Sequence, residues 1–564
     1  MFRLTGAAAL IAAMTLALGA CGSSSDSGSS SGSSKTSGGG TPASGGGKSG
    51  GTIRIVSGTA PDFLDPQRGY TTQSAEATWI SYLGLYSYKH ANGDEGGKLT
   101  PAVAQDFPKI SNGGKTYTMT MRKGLKFSDG TPVKASDFAS TIERALKANW
   151  GGKSFYTGNI AGALAFDKGK AKTISGIKTD DATGEITITL TQPYGAFANV
   201  LAFPSSGIVP KGTKVTNLSN NPPPGIGPYK IEDVVPNRSF SVTRNPQWKD
   251  GIIPDAPAGK ADIKVKIISN NQSEAQQVLN DQADVFDWGD ELPPSLAAQI
   301  AAKAKGRFEK KDTVSTYYFF LNTQTKPFNN LKARQAVNYA VDRRALSRLN
   351  GGDFKPTCFF LPEGLTGHPT SPCPYGDPNK APDLAKAKQL VQESGMAGQK
   401  ITVWGETRSP RKEFVDYYAS VLNKIGFKAK TKIIADAQYF PTIGNLKLNP
   451  QTGFTDWNQD FPNPSDFYLL MDGKTIQPTN NQNFSQVNDP KIQKEIAELN
   501  KVPADKLDTV ADRWAKLDEY LAKQAYIVSF GQQQVPKFFG SKVDFGAAVF
   551  SPVYGNDWST LSLK

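Results

Sequence analysis

The segment DWNQDFPNPSDF, residues 456–467, carries side chains that could bind a charged group. It holds three aspartates and three aromatic rings within twelve residues, in a chain whose formal net charge is +13. Carboxylates attract cations, and aromatic side chains offer rigid apolar surfaces. Pro462 and Pro464 restrict the backbone in the middle of the segment. The composition indicates a stiff acidic loop that could hold a cationic ligand.

Residues for other kinds of chemistry are scarce. His90 and His368 are the only histidines among 564 residues, whereas general-base catalysis and zinc binding most often use histidine. The peptide GKSGG at 47–51 matches a serine-hydrolase motif, but it lies in a Gly/Ser-rich stretch without the strand and helix that the motif requires. An enzyme with two carboxylates across a cleft, such as a glycosidase, stays open as an alternative.

The N-terminus predicts export from the cytoplasm. Arg3 carries the only charged side chain ahead of the apolar run LTGAAALIAAMTLALGA, which ends at Cys21. A short positive region, an apolar core and small residues before the cut are typical of a signal peptide, here residues 1–20. LGAC resembles a bacterial lipobox, which implies that Cys21 becomes a lipid-modified N-terminus. An uncleaved membrane anchor is the alternative, although such an anchor needs about 20 apolar residues and glycines interrupt this run.

Residues 21–51 are interpreted as the lipid-bearing cysteine and a polar tether. Positions 22–51 contain 23 Gly or Ser among 30 residues, and such a composition cannot build a hydrophobic core. A Gly/Ser coil of this length spans roughly 30 Å. The tether would hold a folded body away from a membrane surface.

Cys358 and Cys373 are the cysteines left for the folded body. Outside the cell, a pair fifteen residues apart favours a disulfide, worth about 3 kcal/mol in a loop-closure model. A metal site is the alternative, with His368 as one further ligand. Pro369 and Pro372 fit a cross-linked loop better than a metal site.

Length and charge restrict the function of the body that begins at Thr52. It is too long for one hydrophobic core, so we expect about two to four domains. A net charge of +13 can indicate nucleic-acid binding, but the lysines are scattered and no dense Lys/Arg run occurs. We expect no nucleic-acid partner, and we expect contact with the membrane only through the lipid.

Strand patterns recur along the first half of the body. KTYTMTMRKGLKF (115–127), GEITITL (184–190) and GKADIKVKIIS (259–269) alternate as strands do. The first is followed by SDGTPVKASDFASTIERAL, which predicts a helix capped near Ser136.

A strand–helix–strand unit is expected in the second half. KITVW (400–404) and GFKAKTKII (426–434) have strand character, and between them Phe414, Tyr418 and Leu422 recur at helical spacing. Two strands joined by a helix over so short a distance favour a parallel pair. The fold class predicted from these patterns is α/β.

Five segments together resemble one known family, the extracellular solute-binding proteins of family 5, which are the peptide- and nickel-binding lipoproteins of ABC importers. The similar segments occur in the family's order and lie at 64–88, 97–138, 225–248 (with GIGPY), 317–346 and 383–395. The resemblance spans most of residues 52–564.

The resemblance implies a type 2 periplasmic-binding fold, in which two α/β lobes close on a ligand and the first lobe carries an extra subdomain. The expected boundaries are lobe one at 52–88, the extra subdomain at 89–204, lobe one again at 205–312, lobe two at 313–529 and the end of lobe one at 530–564. Crossings near Val314 and Ser529 would form the hinge. Closure of such a hinge reports that the receptor is occupied.

The implied function is that of a receptor and not of an enzyme. A monomeric lipoprotein, held by Cys21 on the outer face of the bacterial cell membrane, would capture oligopeptides without a cofactor or a metal. It would deliver them to the membrane subunits of an ABC permease. A sugar, an antibiotic or a nickel chelate is an alternative ligand for the same role, and a secreted carboxylate hydrolase is the alternative function.

The resemblance also gives roles to the acidic segment. In this family a W-x-x-D stretch lines the cleft, and in peptide binders its aspartate holds the α-ammonium of the ligand. The matching residues are Trp457 and Asp460, with Asn458 beside them as a further ligand contact. Asp460 could instead be a buried acid paired with a nearby lysine or backbone amides. Asp456 and Asp466 have no counterpart and are interpreted as ordinary solvated or capping acids.

Overall fold

The structure, a computed structural model, describes residues 49–564, so Cys21 lies outside the described residues. Within this range the strands are β1 Thr52–Ser57, β2 Tyr86–Tyr88, β3 Leu99–Pro101, β4 Lys109–Ser111, β5 Thr116–Thr120, β6 Ile177–Asp180, β7 Glu185–Thr189, β8 Tyr229–Val235, β9 Ser239–Arg244, β10 Asp262–Ile267, β11 Val285–Phe286, β12 Phe308–Asp312, β13 Ser315–Leu321, β14 Phe354–Pro356, β15 Lys400–Glu406, β16 Lys428–Ile434, β17 Thr452–Asn458, β18 Ile527–Phe538, β19 Phe550–Ser551 and β20 Gly555–Asn556.

The α-helices of the same range are α1 Thr72–Trp79, α2 Ala135–Lys147, α3 Ser154–Thr157, α4 Ala163–Asp167, α5 Phe197–Val200, α6 Asn271–Leu279, α7 Pro294–Lys303, α8 Leu331–Ala340, α9 Arg343–Leu349, α10 Leu384–Glu393, α11 Arg411–Lys424, α12 Asp436–Ile443, α13 Pro464–Tyr468, α14 Pro490–Leu499 and α15 Ala511–Gln524. None of these helices, all within residues 49–564, is long and apolar enough to cross a bilayer.

The first sheet has five strands in the order β11-β1-β10-β9-β8. β1 is parallel to β10, and β9 is antiparallel to β10. β10 buries Ile263 and Val265 and exposes Lys264 and Lys266, as the two-residue period of a strand with one buried face requires. The strand predicted at 259–269 is confirmed.

A separate four-stranded sheet, β4-β5-β7-β6, packs beside α2. The helix predicted with a cap near Ser136 is confirmed as α2, and its cap lies two residues earlier than Ser136. The N-cap is Lys134, whose backbone N–H donates to the carboxylate of Asp137 at 2.7 Å. Ser136 lies inside the first turn, where its backbone N–H and hydroxyl donate to the carboxylate of Asp181.

The largest sheet has the order β12-β18-β13-β17-β15-β16, and β14 also pairs with β18. β15 and β16 are parallel, with Lys400 opposite Lys428. α11 connects them and buries Phe414, Tyr418 and Leu422. The parallel strand–helix–strand unit predicted from the spacing of these side chains is confirmed.

Two large hydrophobic cores accompany the sheets. We call the first core the buried cluster that runs from Ile53 to Val285 and includes a C-terminal group from Phe539 to Leu561. The second core is the buried cluster from Tyr317 to Phe530. Phe461 lies in the sequence range of the second core, but its side chain is buried in the first core.

β18 runs alongside strands on both sides of the division between the two cores. It pairs with β12 through its C-terminal half and with β13 through its N-terminal half. Val314 occupies the turn between β12 and β13, and Ser529 lies inside β18 opposite Tyr318. The two residues expected at the hinge therefore lie on or beside neighbouring strands, and their hinge role stays a prediction.

Candidate ligand-binding site

The acidic segment begins at the end of β17 and continues into α13. β17 pairs with β13 on one side and β15 on the other, so Trp457 and Asn458 end a central strand. α13 starts at Pro464, and the side chain of Asn463 caps it. Proline suits the first helical position because its missing N–H is not needed there. The loop that carries Asp460 is thus fixed at both ends by regular structure.

Asp460 contacts the first core directly. Its carboxylate oxygen Oδ2 accepts a hydrogen bond of 2.7 Å from the hydroxyl of Tyr70, which lies 390 residues away in sequence. Tyr70 precedes α1, and its ring meets Trp150 edge to face with the centroids 5.3 Å apart. The hydrogen-bond partner of this carboxylate is thus a tyrosine of the first core, and not a nearby lysine or backbone amides.

Asp466 is completely buried behind Asp460. Its Oδ2 accepts two hydrogen bonds, from the backbone N–H of Asp460 at 2.8 Å and from the indole N–H of Trp457 at 3.2 Å. The backbone N–H of Phe461 is a further contact of this carboxyl group. The interpretation of Asp466 as a solvated or capping acid was therefore wrong, because it holds both family-motif residues in place.

The two carboxyl groups form an acidic pair in which Asp466 is buried and Asp460 is partly buried. Burial raises the pKa of Asp460 to about 7, while the hydrogen bond from Tyr70 opposes that rise. The pKa of Asp466 lies well above its ordinary value because the group is buried and the charge of Asp460 is near. Four tyrosines interact electrostatically with the pair, namely Tyr70, Tyr88, Tyr194 and Tyr554.

The hydrogen-bond donors to the two carboxyl groups are neutral, and neither group forms an ion pair within residues 49–564. A buried negative charge without a positive neighbour is unfavourable, so a cation would be favoured beside this pair. Nothing in the sequence indicated this lack of compensation, because it depends on which residues the fold places around Asp460.

Neighbours of Asp460 hold the loop against the first core. The fully buried ring of Phe461 lies 5.7 Å from the ring of Phe155 and 5.8 Å from that of Phe203, between centroids. The side-chain amide of Gln459 donates to the carbonyl of Pro552 at 2.7 Å. These contacts pack the acidic segment against the first core.

A second contact between the parts of the chain that build the two cores lies at Gly195. Its N–H donates to the carbonyl of Asn500 at 3.0 Å. A Cβ atom at Gly195 would lie 1.9 Å from the carbonyl oxygen of Val502. Only glycine therefore permits this approach between a loop that packs on the first core and the chain after α14.

A small cavity of about 10 Å³, roughly the space of one water molecule, lies beside the acidic segment. Asn458, Gln459, Trp288 and Val314 are among its lining residues. The Oε1 of Gln459 is buried without a hydrogen-bond partner, whereas the indole N–H of Trp288 interacts with the buried carboxyl group of Glu76. Since buried polar groups are normally paired, this wall offers one acceptor to a ligand.

A larger cavity of about 680 Å³ lies between the parts of the chain that build the two cores. Thr59 and Glu291 line one side, and Arg408 lines the other. Arg408 Nη2 lies 3.6 Å from the carboxylate of Glu291, beyond ordinary hydrogen-bond length. The sequence gives one indication that Arg408 could contact a ligand, which is its position just after the carboxyl end of β15.

Asp456 belongs to a buried ion-pair group and does not face the ligand cavities as a free acid. Its carboxylate lies 3.1 Å from Nη2 of Arg411, and the other nitrogen of that guanidinium lies 2.8 Å from Glu406. All three side chains are at most 10% exposed. The interpretation of Asp456 as a solvated or capping acid was wrong.

The cysteine pair lies elsewhere in the second part of the chain. Cys358 and Cys373 form a disulfide with the Cα atoms 6.0 Å apart. His368, the proposed third metal ligand, instead contacts the carbonyl of Leu361 through Nδ1 at 2.7 Å. Across the described part of the chain, no group of three or more His, Cys, Asp or Glu side chains could hold a metal ion.

Comparison with known families identifies the chain. A sequence model described as bacterial extracellular solute-binding proteins, family 5, middle region, matches residues 98–478. The chain belongs to this family. Family 5 consists of extracytoplasmic substrate-binding proteins of ABC transporters, and its members are not enzymes. The resemblance found in the sequence is confirmed.

Relatives of this family 5 protein include the glutathione-binding protein GsiB of Salmonella choleraesuis (strain SC-B67). It is 28% identical over 410 residues, which cover 70% of this chain and 72% of that protein. The solved structure of clavulanic acid biosynthesis oligopeptide binding protein 2 has a TM-score of 0.82 at 22% identity, and covers 92% of this chain and 96% of its own.

A second solved structure is the periplasmic binding protein DppA from Helicobacter pylori in complex with the peptide STSA. It has a TM-score of 0.74 at 22% identity, and covers 92% of this chain and 98% of its own. These likenesses confirm the predicted fold class, a two-lobed α/β fold of the type 2 periplasmic-binding proteins.

Proposed function

We propose that this family 5 protein is a lipid-anchored receptor that captures short peptides with a free amino terminus. It releases them to the membrane subunits of an ABC permease and acts as a monomer. Lipid on Cys21 holds it at the outer face of the cell membrane. No chemistry on the ligand is needed for this role, since closure of the lobes signals occupancy.

The lobe boundaries form part of the proposal. Lobe one comprises 52–88, 205–312 and 530–564, the extra subdomain 89–204, and lobe two 313–529. Hinge motion at Val314 and Ser529 would open the cleft between Tyr70 and Asp460. β18 supports this assignment, because it pairs with β12 and with β13 along one continuous strand.

The observation that carries the proposal is the uncompensated charge of Asp460. Its carboxylate is partly buried at the boundary of the two cores and has a neutral tyrosine as its hydrogen-bond partner. Every free peptide offers an α-ammonium group, whatever its side chains. A charge-assisted hydrogen bond between the two would supply the cation that the protein lacks. It would also favour closure, since Asp460 then contacts both the ligand and Tyr70.

Other groups of the cleft suit the rest of a peptide. The unpartnered acceptor of Gln459 matches an N–H group of an extended peptide backbone. Asn458 lines the same cavity. Trp457, held by Asp466, supplies a rigid apolar wall.

Arg408 suits the opposite end of the ligand. It faces the larger cavity, and its contact with Glu291 is long at 3.6 Å. A peptide carboxylate can form two parallel hydrogen bonds with a guanidinium. A receptor with an acid for one terminus and a cation for the other would select zwitterionic ligands and tolerate varied side chains.

The names of the relatives agree with a peptide ligand. They include a glutathione-binding protein, an oligopeptide-binding protein and a protein bound to the peptide STSA. These names support the proposed ligand class, while the charges at Asp460 and Arg408 provide the physical reason for it.

A thermal-shift screen followed by calorimetry tests the proposal. The panel contains di- to pentapeptides of mixed composition, each with a free and with an N-acetylated amino terminus. We expect free peptides to stabilise the protein and bind with measurable heat, because the ammonium pairs with Asp460, and we expect the acetylated forms to bind poorly. Equal affinity for the two forms would contradict an ammonium site at Asp460. Binding of a sugar or another non-peptide instead would leave the receptor role and replace the ligand class.

A further inference from the structure

Glu291 is the carboxylate that faces Arg408 in the larger cavity. Glu291 lies between β11 of the first sheet and α7, whereas Arg408 lies in the turn between β15 of the largest sheet and α11. The two side chains are 17% and 23% exposed, and Oε2 of Glu291 lies 3.6 Å from Nη2 of Arg408. The pair therefore connects two parts of the chain that belong to different sheets.

Hydrogen bonds fix the main chain around Glu291. The carboxylate of Asp290 accepts from the backbone N–H of Gly58 at 2.6 Å and from the hydroxyl of Thr59 at 3.0 Å. The side-chain amide of Asn271 donates to the carbonyl of Glu291 at 2.9 Å. Because these contacts hold the main chain, movement of Glu291 into or out of the cavity is left to its side chain.

The guanidinium of Arg408 has the capacity for a better partner. It carries five N–H donors, and its ion pair within residues 49–564 is the 3.6 Å contact with Glu291, which is longer than a hydrogen bond. The neighbouring Arg411 differs, because Glu406 lies 2.8 Å and Asp456 lies 3.1 Å from its guanidinium. Arg408 can therefore exchange its carboxylate partner, whereas Arg411 is already neutralised.

The charges around the larger cavity leave Arg408 as the place for a ligand carboxylate. The charged residues of the lining are Asp290, Glu291, Arg408 and Asp436. Asp290 is 3% exposed and already hydrogen-bonded, and Asp436 is exposed to solvent. A carboxylate that enters the cavity is attracted by Arg408 and repelled by Glu291, so it must replace Glu291 there. A neutral ligand end has no such effect, and Glu291 can stay.

We propose that Glu291 is an internal substitute for the carboxylate of the ligand. It pairs with Arg408 when the bound peptide ends in a neutral group or does not reach the cavity, and it yields Arg408 to a peptide carboxylate. The proposal rests on the proposed function, since it needs a peptide with its ammonium group at Asp460. The step is an exchange of ion pairs, in which no covalent bond changes.

The consequence is a receptor that accepts peptides of different length and with different C-terminal groups. Arg408 alone would impose a strong preference for ligands with a carboxylate, because a partly buried cation without a counter-charge is unfavourable. Glu291 weakens that preference, since Arg408 keeps a counter-charge with either kind of ligand.

The pair could instead serve only to hold the two parts of the chain together. In that case, loss of the Glu291 charge would weaken the binding of every peptide to the same extent. Loss of a substitute carboxylate has a different effect, because it matters only for peptides that bring no carboxylate of their own. The C-terminal group of the ligand therefore distinguishes the two roles.

Glu291→Gln in the full-length protein tests the proposal. The probes are the tightest-binding free peptide of the panel above and the same peptide with an amidated C-terminus, each titrated by calorimetry. We expect the variant to bind the amide about tenfold more weakly than the wild-type protein does, because Arg408 then lacks a counter-charge. We expect it to bind the free acid equally or more tightly, because the peptide carboxylate no longer has to displace Glu291.

The ratio of the two affinities decides the outcome. It should rise about tenfold in favour of the free acid in Glu291→Gln, and in an Arg408→Gln background the same substitution should leave it unchanged. A ratio in Glu291→Gln that stays at the wild-type value or falls would overturn the inference and leave the proposed function intact, as would a rise that persists without Arg408.

Glu393→Gln serves as the matched control. It removes a glutamate from another ion pair, with Lys332 at 3.0 Å, and Glu393 lines neither cavity. Its ratio of affinities should equal that of the wild-type protein, and a rise as large as that of Glu291→Gln would mean that net charge causes the effect and would sink the inference. If no peptide with a free amino terminus bound the wild-type protein, the proposed function itself would fail.

Discussion

Asp460→Asn is the substitution that separates charge from shape at the ligand site. Asparagine has nearly the same volume as aspartate, and its side-chain oxygen can still accept the hydrogen bond from Tyr70. The backbone N–H of residue 460 still donates to Asp466. Only the negative charge is lost, so any change in affinity measures what that charge contributes.

The expected loss of affinity is large because the protein offers this charge a neutral hydrogen-bond donor, Tyr70, and no ion pair within residues 49–564. Loss of one member of a desolvated charge pair typically costs about 2–5 kcal/mol. Since each 1.4 kcal/mol is about a factor of ten in Kd, we expect the free peptide to bind roughly 30-fold more weakly or worse. The N-acetylated peptide has no ammonium to lose, so its affinity should stay almost unchanged.

The same substitution should stabilise the empty protein at pH 8. The pKa of an aspartate in an unfolded chain is about 4, whereas that of Asp460 in the folded protein is about 7. Between these pH values the folded state binds the additional proton, so the stability contributed by this group falls as the pH rises from 4 to 7. Above pH 7 the penalty for burying the charge is fully present, and asparagine removes it.

Calorimetry and thermal unfolding of the purified proteins check both effects. We expect Asp460→Asn to bind weakly and to unfold at a higher temperature than the wild-type protein at pH 8, with the difference shrinking toward pH 4. General damage to the site would lower both the affinity for the peptide and the unfolding temperature. Wild-type affinity for the free peptide in the variant would refute the assignment of Asp460, and Asp508→Asn, which removes one exposed carboxylate, supplies the control for surface charge.

Three further predictions concern closure, cross-linking and anchoring. Gly195→Ala should weaken ligand binding and leave the open form more populated in small-angle scattering, because its Cβ would lie 1.9 Å from the carbonyl oxygen of Val502; unchanged affinity and shape would argue against that contact. Replacing both Cys358 and Cys373 by serine should lower stability by about 3 kcal/mol, as the loop-closure model gives for such a loop, with little change in affinity; equal melting temperatures would contradict this. Cys21→Ala should abolish lipid labelling and release the protein from membranes with its affinity intact, and a mature N-terminus at any other residue would refute the anchor.

Local patterns in the sequence were sufficient for part of the fold. The unit formed by β15, α11 and β16 follows from strand alternation and from the helical spacing of Phe414 and Tyr418, which are short-range signals. The exact cap of α2 was not predicted because Ser136 has a side chain typical of N-caps. The helix instead begins after Lys134, whose backbone N–H donates to the carboxylate of Asp137. Residue type alone does not distinguish these two arrangements.

Only some residues of the candidate site could be predicted from the sequence. Trp457 and Asp460 could be selected because they match a family motif four residues long. Tyr70 could not, since its contact with Asp460 spans 390 residues and depends on how the two cores close. Asp466 was misjudged for a related reason, because an aspartate at a helix start is ordinarily exposed, whereas packing between the cores buries this one completely.

Native mass spectrometry of the gently purified protein tests the central claim most directly. If the protein is a receptor for short peptides, the spectrum should show a complex whose mass exceeds that of the chain by one or more peptides. Those peptides, once released, should carry free amino termini and remain unchanged on prolonged incubation with the protein. Recovery of a ligand without an amino group, or steady conversion of the ligand to products, would contradict the account.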